Sequence, residues 1–445
     1  MSTATTRTTP AAPSLASPAT LRKVVLASMI GTTIEWYDFF LYGSASVLVF
    51  NKLFFPKSDP HVGTLLALTT YALGFVARPL GGLVFGHFGD RMGRKQLLML
   101  SLMMMGGSTV LIGILPTFHQ VGVFAPLMLV LLRLVQGFAV GGEWGGAVLM
   151  VTEYGEAKRR GFWAGWPQAG VPAGNLLAAA VLAVMSAVQS NADFLAWGWR
   201  VPFLLSAVLV AVGYWVRTTL AESPLFQQAL DDAGAPPRAP MVDAIRERPG
   251  GIAIGAGLRV AENICFYVIT TFGLTYMVDH AHLTRSLALN AMLIGTAVEV
   301  VAIPIFAALS DRIGRRPVYF LGAAGIAAWG FVFFRLIDTG QTPLIVLAIV
   351  GGLICHALMY GPQAAFIAEL FPTRMRYSGA SLAYQATSIF AGSLAPIIAV
   401  FLLDRYKSWL PIALYLAVAG AISAFSAWKA RETKGLSFAE IDAIR

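Results

Sequence analysis

Residues 90–95 read Asp-Arg-Met-Gly-Arg-Lys, and residues 311–316 read Asp-Arg-Ile-Gly-Arg-Arg. The two copies start 221 positions apart in a chain of 445 residues, close to half its length. Each copy is short and basic, and long apolar runs lie on both sides of it. A motif that repeats at half-length between apolar segments indicates a chain built from two similar halves.

The composition predicts a protein whose exterior faces lipid. Hydrophobic residues make up 57% of the chain and charged residues 12%, whereas an average soluble domain carries about 25% charged residues. The net charge of +9 does not indicate nucleic-acid binding, because the basic residues punctuate apolar segments instead of clustering in one domain. Cys265 and Cys355 lie inside apolar runs and predict neither a disulfide framework nor a metal site.

Twelve segments have the roughly 20 apolar residues that a helix needs to cross a bilayer. The first six lie near residues 22–50, 61–86, 96–116, 122–150, 161–188 and 200–220. The second six lie near residues 251–279, 286–309, 317–338, 343–370, 378–404 and 409–430. The sequence therefore predicts an all-α integral membrane protein with twelve transmembrane helices in two pseudo-symmetric six-helix bundles.

The polar segments divide this chain further. Residues 1–20 lack the apolar run of a signal peptide and predict a disordered tail. Residues 221–250 predict a soluble linker with room for one short helix between bundles at 21–220 and 251–430, and residues 431–445 predict a second tail. With both termini cytoplasmic, 22 of the 32 Lys and Arg residues fall on the cytoplasmic side and seven on the other, which supports that orientation.

Several stretches resemble the major facilitator superfamily of transporters, across nearly all of residues 20–430. Residues 86–95 resemble its signature between helices two and three, and residues 133–137, Arg-Leu-Val-Gln-Gly, resemble its helix-four signature. Further stretches resemble the metabolite:proton symporter branch, which includes carriers for 2-oxoglutarate, citrate, shikimate, and proline or betaine. They are Ile34-Glu-Trp-Tyr-Asp-Phe39 with Tyr42-Gly43, Ala77-Arg-Pro-Leu-Gly-Gly82, and Gln136-Gly137 followed by Gly141-Gly142-Glu143.

Ionisable groups inside membrane spans are costly, so each is a candidate for function. Glu35 and Asp38 are three residues apart and share a helix face. We expect one of them to bind the coupling proton and Arg133 to be its partner, so that protonation frees the arginine for an anionic substrate. The alternative is that Glu35 or Asp38 only neutralises Arg133 in a structural ion pair.

Arg259 is the matching candidate for anion binding in the second half. The resemblance implies that helices one, four, seven and ten line a central cavity. The residues that we expect to contact substrate there are Arg133, Arg259, Tyr42, Gln136, Glu262, Asn263, Tyr267, Tyr360 and Gln363. Alternatively, Arg259 and Glu262 form a local pair near the cytoplasmic mouth. For Glu299 and His356 we favour a structural role over substrate or proton binding. For Arg78 we favour a structural or gating role over substrate contact.

The repeated motif predicts a cytoplasmic gate. Asp90 can accept hydrogen bonds from basic groups and from a helix N-terminus, and a second pair of loops, after Glu153 and Glu369, also matches between the halves. The predicted gate residues are Gly86, Asp90, Arg91, Gly93, Arg94, Asp311, Arg312, Arg315, Glu143, Glu153 and Glu369. The alternative is that the basic residues only fix the topology.

Together these patterns predict a secondary transporter and not an enzyme. We expect proton-coupled uptake of a small carboxylate by alternating access, without a cofactor other than protons, by a monomer in a bacterial inner membrane. The expected partners are a small anionic molecule, protons and the bilayer, and no nucleic acid. Alternatives are uptake of a zwitterion such as betaine or proline, and a uniporter, exporter or non-transporting receptor.

Overall fold

The computed structural model describes residues 17–56, 60–223, 227 and 240–443, and these residues form helices and turns without a strand. The first six long helices are α1 (Pro18–Ala45), α2 (Pro60–Met92), α3 (Arg94–Ile114), α4 (Phe124–Tyr154), α5 (Arg160–Val188) and α6 (Arg200–Thr218). The second six are α7 (Pro249–His280), α8 (Arg285–Ile313), α9 (Arg315–Asp338), α10 (Thr342–Ala368), α11 (Thr373–Tyr406) and α12 (Leu410–Lys429).

All of these helices except α2 are long and apolar enough to cross a membrane, judged by length and composition. The helix α2 has 33 residues and is the twelfth long helix. Large apolar side chains point away from the protein, where lipid covers them at low cost. Examples are Leu80, Trp215, Val301 and Phe401.

Shorter elements interrupt or connect the long helices. Single helical turns follow α1 at Ser46–Phe50 and Asn51–Leu53, and π-helical turns occur within α7 and α11 at Val268–Phe272, Tyr276–His280 and Ser388–Ser393. Of the predicted polar segments, residues 1–16, 224–226, 228–239 and 444–445 lie outside the described residues. The described part of the linker contains a helix at Pro240–Glu247, and a last helix spans Phe438–Ala443.

The duplicated motif is a helix end followed by a glycine. The helix α2 continues through Asp90 to Met92, and Gly93 then has φ of 105°. The helix α8 continues to Ile313, and Gly314 has φ of 114°. Both backbone angles favour glycine because a Cβ is strained there. The predicted ends at residues 86 and 309 were too early, since the acids of the motif are still helical.

Each half packs around its own helices, and several pairs of helices join the halves. Within the first half α2 packs on α4 and α1 on α5, and within the second half α8 packs on α10 and α7 on α12. Between the halves, α5 packs on α8 and α2 on α11. A two-fold relation exchanges these two contacts, as the repeat predicts.

Glycines permit the contact between α2 and α4. A Cβ on Gly137 would lie 2.0 Å from the carbonyl oxygen of Gly74, and a Cβ on Gly141 would lie 2.1 Å from that of Arg78. A Cβ on Gly81 would lie 1.9 Å from the carbonyl oxygen of Phe138. The backbones therefore touch, as small residues allow in membrane helices.

We expect Gly137→Ala to destabilise the protein by at least ~1–3 kcal/mol, because the added methyl must push two backbones apart. The measurement is the melting temperature in detergent, followed by size-exclusion chromatography. Gly107→Ala is the control, since no atom lies within 4 Å of its Cβ position. Equal melting temperatures for the two variants would contradict this account of the contact.

Candidate functional site

The acid of the first motif copy is bound to the second half of the chain. Asp90, at the end of α2, accepts hydrogen bonds from the backbone N–H groups of Tyr377 at 3.2 Å and Ser378 at 2.9 Å. These N–H groups belong to the first turn of an α-helical stretch beginning at Arg376. First-turn N–H groups have no partner within their own helix and carry partial positive charge. The predicted hydrogen bonds from a helix N-terminus are confirmed.

The second motif copy makes the same contact in the opposite direction. Asp311, at the end of α8, accepts hydrogen bonds from the N–H groups of Gly161 at 2.9 Å and Phe162 at 2.7 Å. These N–H groups lie in the first turn of α5, which begins at Arg160. Each half therefore offers one carboxylate to one helix N-terminus of the other half.

Buried ion pairs surround the contact made by Asp90. Arg94 lies 3.6 Å from Asp90 and 3.1 Å from Glu153, both within the first half. Arg376 of the second half lies 3.6 Å from Glu153. Glu153 therefore joins arginines of both halves.

The same network recurs around Asp311. Arg315 lies 2.6 Å from Asp311 and 3.3 Å from Glu369. Arg160 of the first half lies 2.7 Å from Glu369. We name these eight residues the latch: Asp90, Arg94, Glu153, Arg160, Asp311, Arg315, Glu369 and Arg376. It lies on the predicted cytoplasmic side.

A third pair of acids belongs to the same structure but was missed from the sequence. Glu222 accepts a hydrogen bond from the backbone N–H of Lys95, at the start of α3, at 3.0 Å. Glu432 accepts bonds from the N–H groups of Arg315 and Arg316, at the start of α9, at 3.0 Å each. The signal was present, because a Glu followed by a hydroxyl residue occurs after the sixth and the twelfth spans, as Glu-Ser and Glu-Thr.

Five predicted gate residues lie outside the latch: Gly86, Arg91, Gly93, Glu143 and Arg312. Arg91 and Arg312 are exposed, because they lie on the outer side of their helix ends. The carboxylate of Glu143 accepts a hydrogen bond from Thr32 of the same half at 2.6 Å. Those placements do not support their predicted gate role. Gly86 is at the interface, since a Cβ there would lie 3.1 Å from the Cα of Ser378.

A central cavity lies between the halves. Its volume is about 20 Å³, which is space for about one water, so its walls are nearly in contact. Five of the residues predicted to contact substrate line it: Arg259, Glu262, Asn263, Tyr267 and Tyr360. Residues not predicted as substrate contacts also line it: Trp36, Arg78, Val171, Pro172, Phe266, His356 and Tyr384.

Arg259 and Glu262 form the predicted pair, and it faces the cavity. Arg259 Nη1 lies 2.6 Å from Glu262 Oε2, and the guanidinium lies 3.5 Å from the ring centre of Tyr384. Gln363 does not line the cavity but donates a hydrogen bond to Glu262 at 3.3 Å. His356 Nε2 lies 3.2 Å from Glu262 Oε1.

Arg78 faces the pair from the first half. Its guanidinium lies over the rings of Phe39 and Phe75, 4.3 and 4.2 Å from their centres. Among the described residues it takes part in no ion pair, and its Nε and Nη2 atoms have no hydrogen-bond partner there. Arg78 is thus a buried cation at the cavity wall, and it has no carboxylate partner among the described residues.

The other predicted arginine is not at the cavity. Arg133 lies over the rings of Phe39 and Tyr42, 4.1 and 4.3 Å from their centres. It donates to Gln136 at 3.1 Å and to the carbonyl oxygen of Tyr71 at 3.4 Å. Arg133, Tyr42 and Gln136 therefore form a separate cluster, and the prediction that they line the cavity is wrong in this conformation.

The predicted pairing of Arg133 with an acid of α1 is also wrong in this conformation. Glu35 pairs instead with Arg217 of α6 at 2.9 Å. Asp38 accepts a hydrogen bond from Ser206, also of α6. The face shared by Glu35 and Asp38 points to α6, whereas Arg133 points to α2.

Aromatic and amide groups close the wall beside the cavity. Trp144 of α4 stacks on Tyr384 of α11, with ring centres 3.7 Å apart. The indole N–H donates to Gln168 at 2.6 Å, and Gln168 donates to the carbonyl oxygen of Tyr360 at 3.1 Å. The ring stack and the hydrogen bond from Gln168 to Tyr360 cross from the first half to the second.

We expect Asp90→Asn to reduce turnover ~10-fold or more, because a charged acceptor contributes about 1.5–3 kcal/mol through its hydrogen bonds. Ligand affinity should change less, since Asp90 does not line the cavity. Flux and binding are measured on the same purified protein. Arg91→Gln, an exposed change beside it, is the control. Unchanged flux in Asp90→Asn would refute a role for the latch in turnover.

Comparison with known proteins identifies the family. The family of sugar and other transporters matches residues 23–234 and 246–444. The shikimate transporter of Escherichia coli K12 is 41% identical over 409 residues, covering 91% of this chain and 93% of the relative. The proline/betaine transporter of the same strain is 33% identical and covers 93% of this chain and 84% of the relative.

A solved structure shows the same fold. The proton:xylose symporter XylE bound to 6-bromo-6-deoxy-D-glucose matches with a TM-score of 0.80 and 18% identity, over 96% of this chain and all of that one. Twelve long helices in two related halves agree with this match. The chain therefore belongs to the sugar and other transporter family of the major facilitator superfamily, and it is a multi-pass membrane transporter of small molecules.

Proposed function

We propose that this protein is a proton-coupled symporter that imports a small carboxylate metabolite by alternating access. One observation carries the proposal: two buried guanidinium groups, Arg78 and Arg259, line one cavity between the halves. Arg78 has no carboxylate partner among the described residues. A substrate carboxylate would supply the missing partner, with the geometry that guanidinium groups favour.

The rest of the cavity wall favours a ring that carries hydroxyl groups. The phenols of Tyr267, Tyr360 and Tyr384 and the amide of Asn263 line it and can bond to hydroxyl oxygens. Trp36 and Phe266 supply apolar surface. Shikimate, the substrate named for the relative at 41% identity, combines a carboxylate with a hydroxylated ring and is the first compound to test.

Alternating access is supported by the latch and the narrow cavity. The latch joins the halves on the predicted cytoplasmic side, and about 20 Å³ is too small for such a substrate. The halves must separate for substrate to enter or leave. Breaking the latch would open one side, and re-forming it would close that side.

Proton coupling is proposed from the buried acids of the first half. Asp38 is fully buried and has no cation within ion-pair distance among the described residues. Its Oδ2 atom has no hydrogen-bond partner in that part of the chain. A buried carboxylate without a countercharge favours its protonated form, so Asp38 is the proposed proton site on α1, whereas Glu35 has Arg217. The proposed setting is a monomer in a bacterial inner membrane with both termini cytoplasmic.

A zwitterionic substrate is the second candidate. The cavity holds Glu262 as well as the arginines, and its aromatic rings could contact a quaternary ammonium. The relative at 33% identity is named for proline and betaine. Competition of betaine and proline against shikimate in a binding assay decides between the two classes.

We expect proteoliposomes with an acidic exterior to accumulate labelled shikimate, because a proton entering down its gradient draws the anion with it. A protonophore should abolish the accumulation. Uptake that only equilibrates, whatever the pH gradient, indicates a uniporter and refutes symport. Loss of preloaded label under the same gradient indicates an exporter. Binding of shikimate without flux indicates a receptor.

Arg78→Gln should weaken shikimate binding ~10-fold or more, since a charge-assisted hydrogen bond contributes about 1.5–3 kcal/mol. Isothermal titration in detergent gives the Kd. Arg335→Gln makes the same change at an exposed arginine of α9 that is remote from the cavity residues, and it should bind as the wild type does. Equal Kd values for both variants would remove Arg78 from the site.

A further inference from the structure

A second group of titratable residues lies behind the cavity, in the second half. Glu299 of α8, His356 of α10 and Glu262 of α7 are all buried. His356 Nδ1 contacts Glu299 Oε1, and His356 Nε2 lies 3.2 Å from Glu262 Oε1. We name these three residues the relay. Glu262 continues it to Arg259 through its other oxygen, at 2.6 Å.

The relay needs one proton more than its neutral imidazole supplies. A neutral imidazole has a single N–H, and an ionised carboxylate only accepts hydrogen bonds. Because both ring nitrogens of His356 contact carboxylate oxygens, each contact needs its own hydrogen. One additional proton therefore lies either on the imidazole or on a carboxyl oxygen. With that proton, the two negative charges of Glu262 and Glu299 are balanced by the proton and by Arg259. Relay and Arg259 are then neutral overall, which lowers the cost of burying them.

We infer that the relay of Glu299, His356 and Glu262 is a proton-binding site that controls whether Arg259 is available to a substrate carboxylate. The proton on Nε2 of the imidazolium passes to Oε1 of Glu262, and the N–H electron pair stays on the nitrogen. The imidazole is then neutral and keeps its Nδ1–H towards Glu299. Glu262 becomes a neutral acid, and Arg259 loses its countercharge.

The substrate carboxylate then replaces the charge of Glu262 beside Arg259. Proton and anion each favour the binding of the other, because binding linkage is reciprocal. The inference rests on the proposed symport, adds to the proposed site at Asp38, and places a coupling proton next to the substrate. It also gives Glu299 and His356, for which the sequence favoured a structural role, a part in coupling.

The surroundings of the relay contain few other charges. Tyr360 stacks on His356 with ring centres 5.0 Å apart, and Phe266 lies 5.1 Å away. From the other packed helices the titratable or charged groups that face the relay and Arg259 are Cys265 of α7, Tyr319 of α9, Tyr384 of α11 and, across the cavity, Arg78 of α2. None of these is a further carboxylate, so loss of the relay proton leaves the relay and Arg259 with one net negative charge, which only Arg78 across the cavity opposes.

His356→Asn and Glu299→Gln test the inference in proteoliposomes. We expect both variants to lose accumulation of labelled shikimate under an acid-outside gradient ~10-fold or more, and to bind shikimate with a Kd that no longer tightens as the pH falls, as it does in the wild type. His119→Asn makes the same change at an exposed histidine outside the relay and should accumulate shikimate normally. A Kd that tightens with falling pH in both variants as it does in the wild type would overturn the inference, because the proton linked to substrate binding would then lie outside the relay.

Two further results separate the inference from the proposed function. If the wild type accumulates shikimate and both variants do so equally, the relay inference fails and symport stands. If the wild type ignores the pH gradient, symport and the inference fail together. For variants that do not fold, infrared difference spectra of the wild type with isotope-labelled histidine replace them. Shikimate binding should then remove an imidazolium signal and add a carboxylic-acid signal, and an unchanged histidine signal overturns the inference.

Discussion

The hydrogen bonds between a carboxylate of one half and a helix N-terminus of the other are the constraint on which the rest of this structure depends. Asp90 and Asp311 each meet two first-turn N–H groups, and each contact satisfies both a buried charge and a free helix end. Because the two contacts run in opposite directions, they hold both sides of the interface together at the predicted cytoplasmic ends of the helices. The narrow cavity above them follows from that closure.

The same duplication explains which parts of the molecule the sequence could predict. The repeated motif allowed Asp90 and Asp311 to be predicted as gate residues, because acid, arginine and glycine follow one another at fixed spacing at one helix end. The partners of buried charged groups were harder to predict, since they depend on how helices far apart in the chain pack. Arg217 lies 182 positions from Glu35, and it was not among the predicted site residues. The packing of α6 places Arg217 beside Glu35, so Glu35 pairs with Arg217 and not with Arg133.

The proposed substrate and proton binding depends on residues that differ between the halves. The proposed opening and closing depends on the latch, which is similar in both halves. The first half contributes Arg78 to the cavity and keeps Arg133 and Asp38 apart from it. The second half surrounds Arg259 with acids, an imidazole and phenols. These residues have no counterpart in the repeat, so symmetry could not predict them. Their roles depend on distances of a few ångströms, which a linear pattern does not contain.

The stack of Trp144 on Tyr384 has a practical consequence for observing this protein. The two rings are 3.7 Å apart and belong to different halves, so any separation of the halves at this contact removes the indole from its phenol. The emission of an indole depends on such neighbours. A variant that keeps Trp144 as its sole tryptophan would thus carry an intrinsic optical reporter of the interface, without an attached dye.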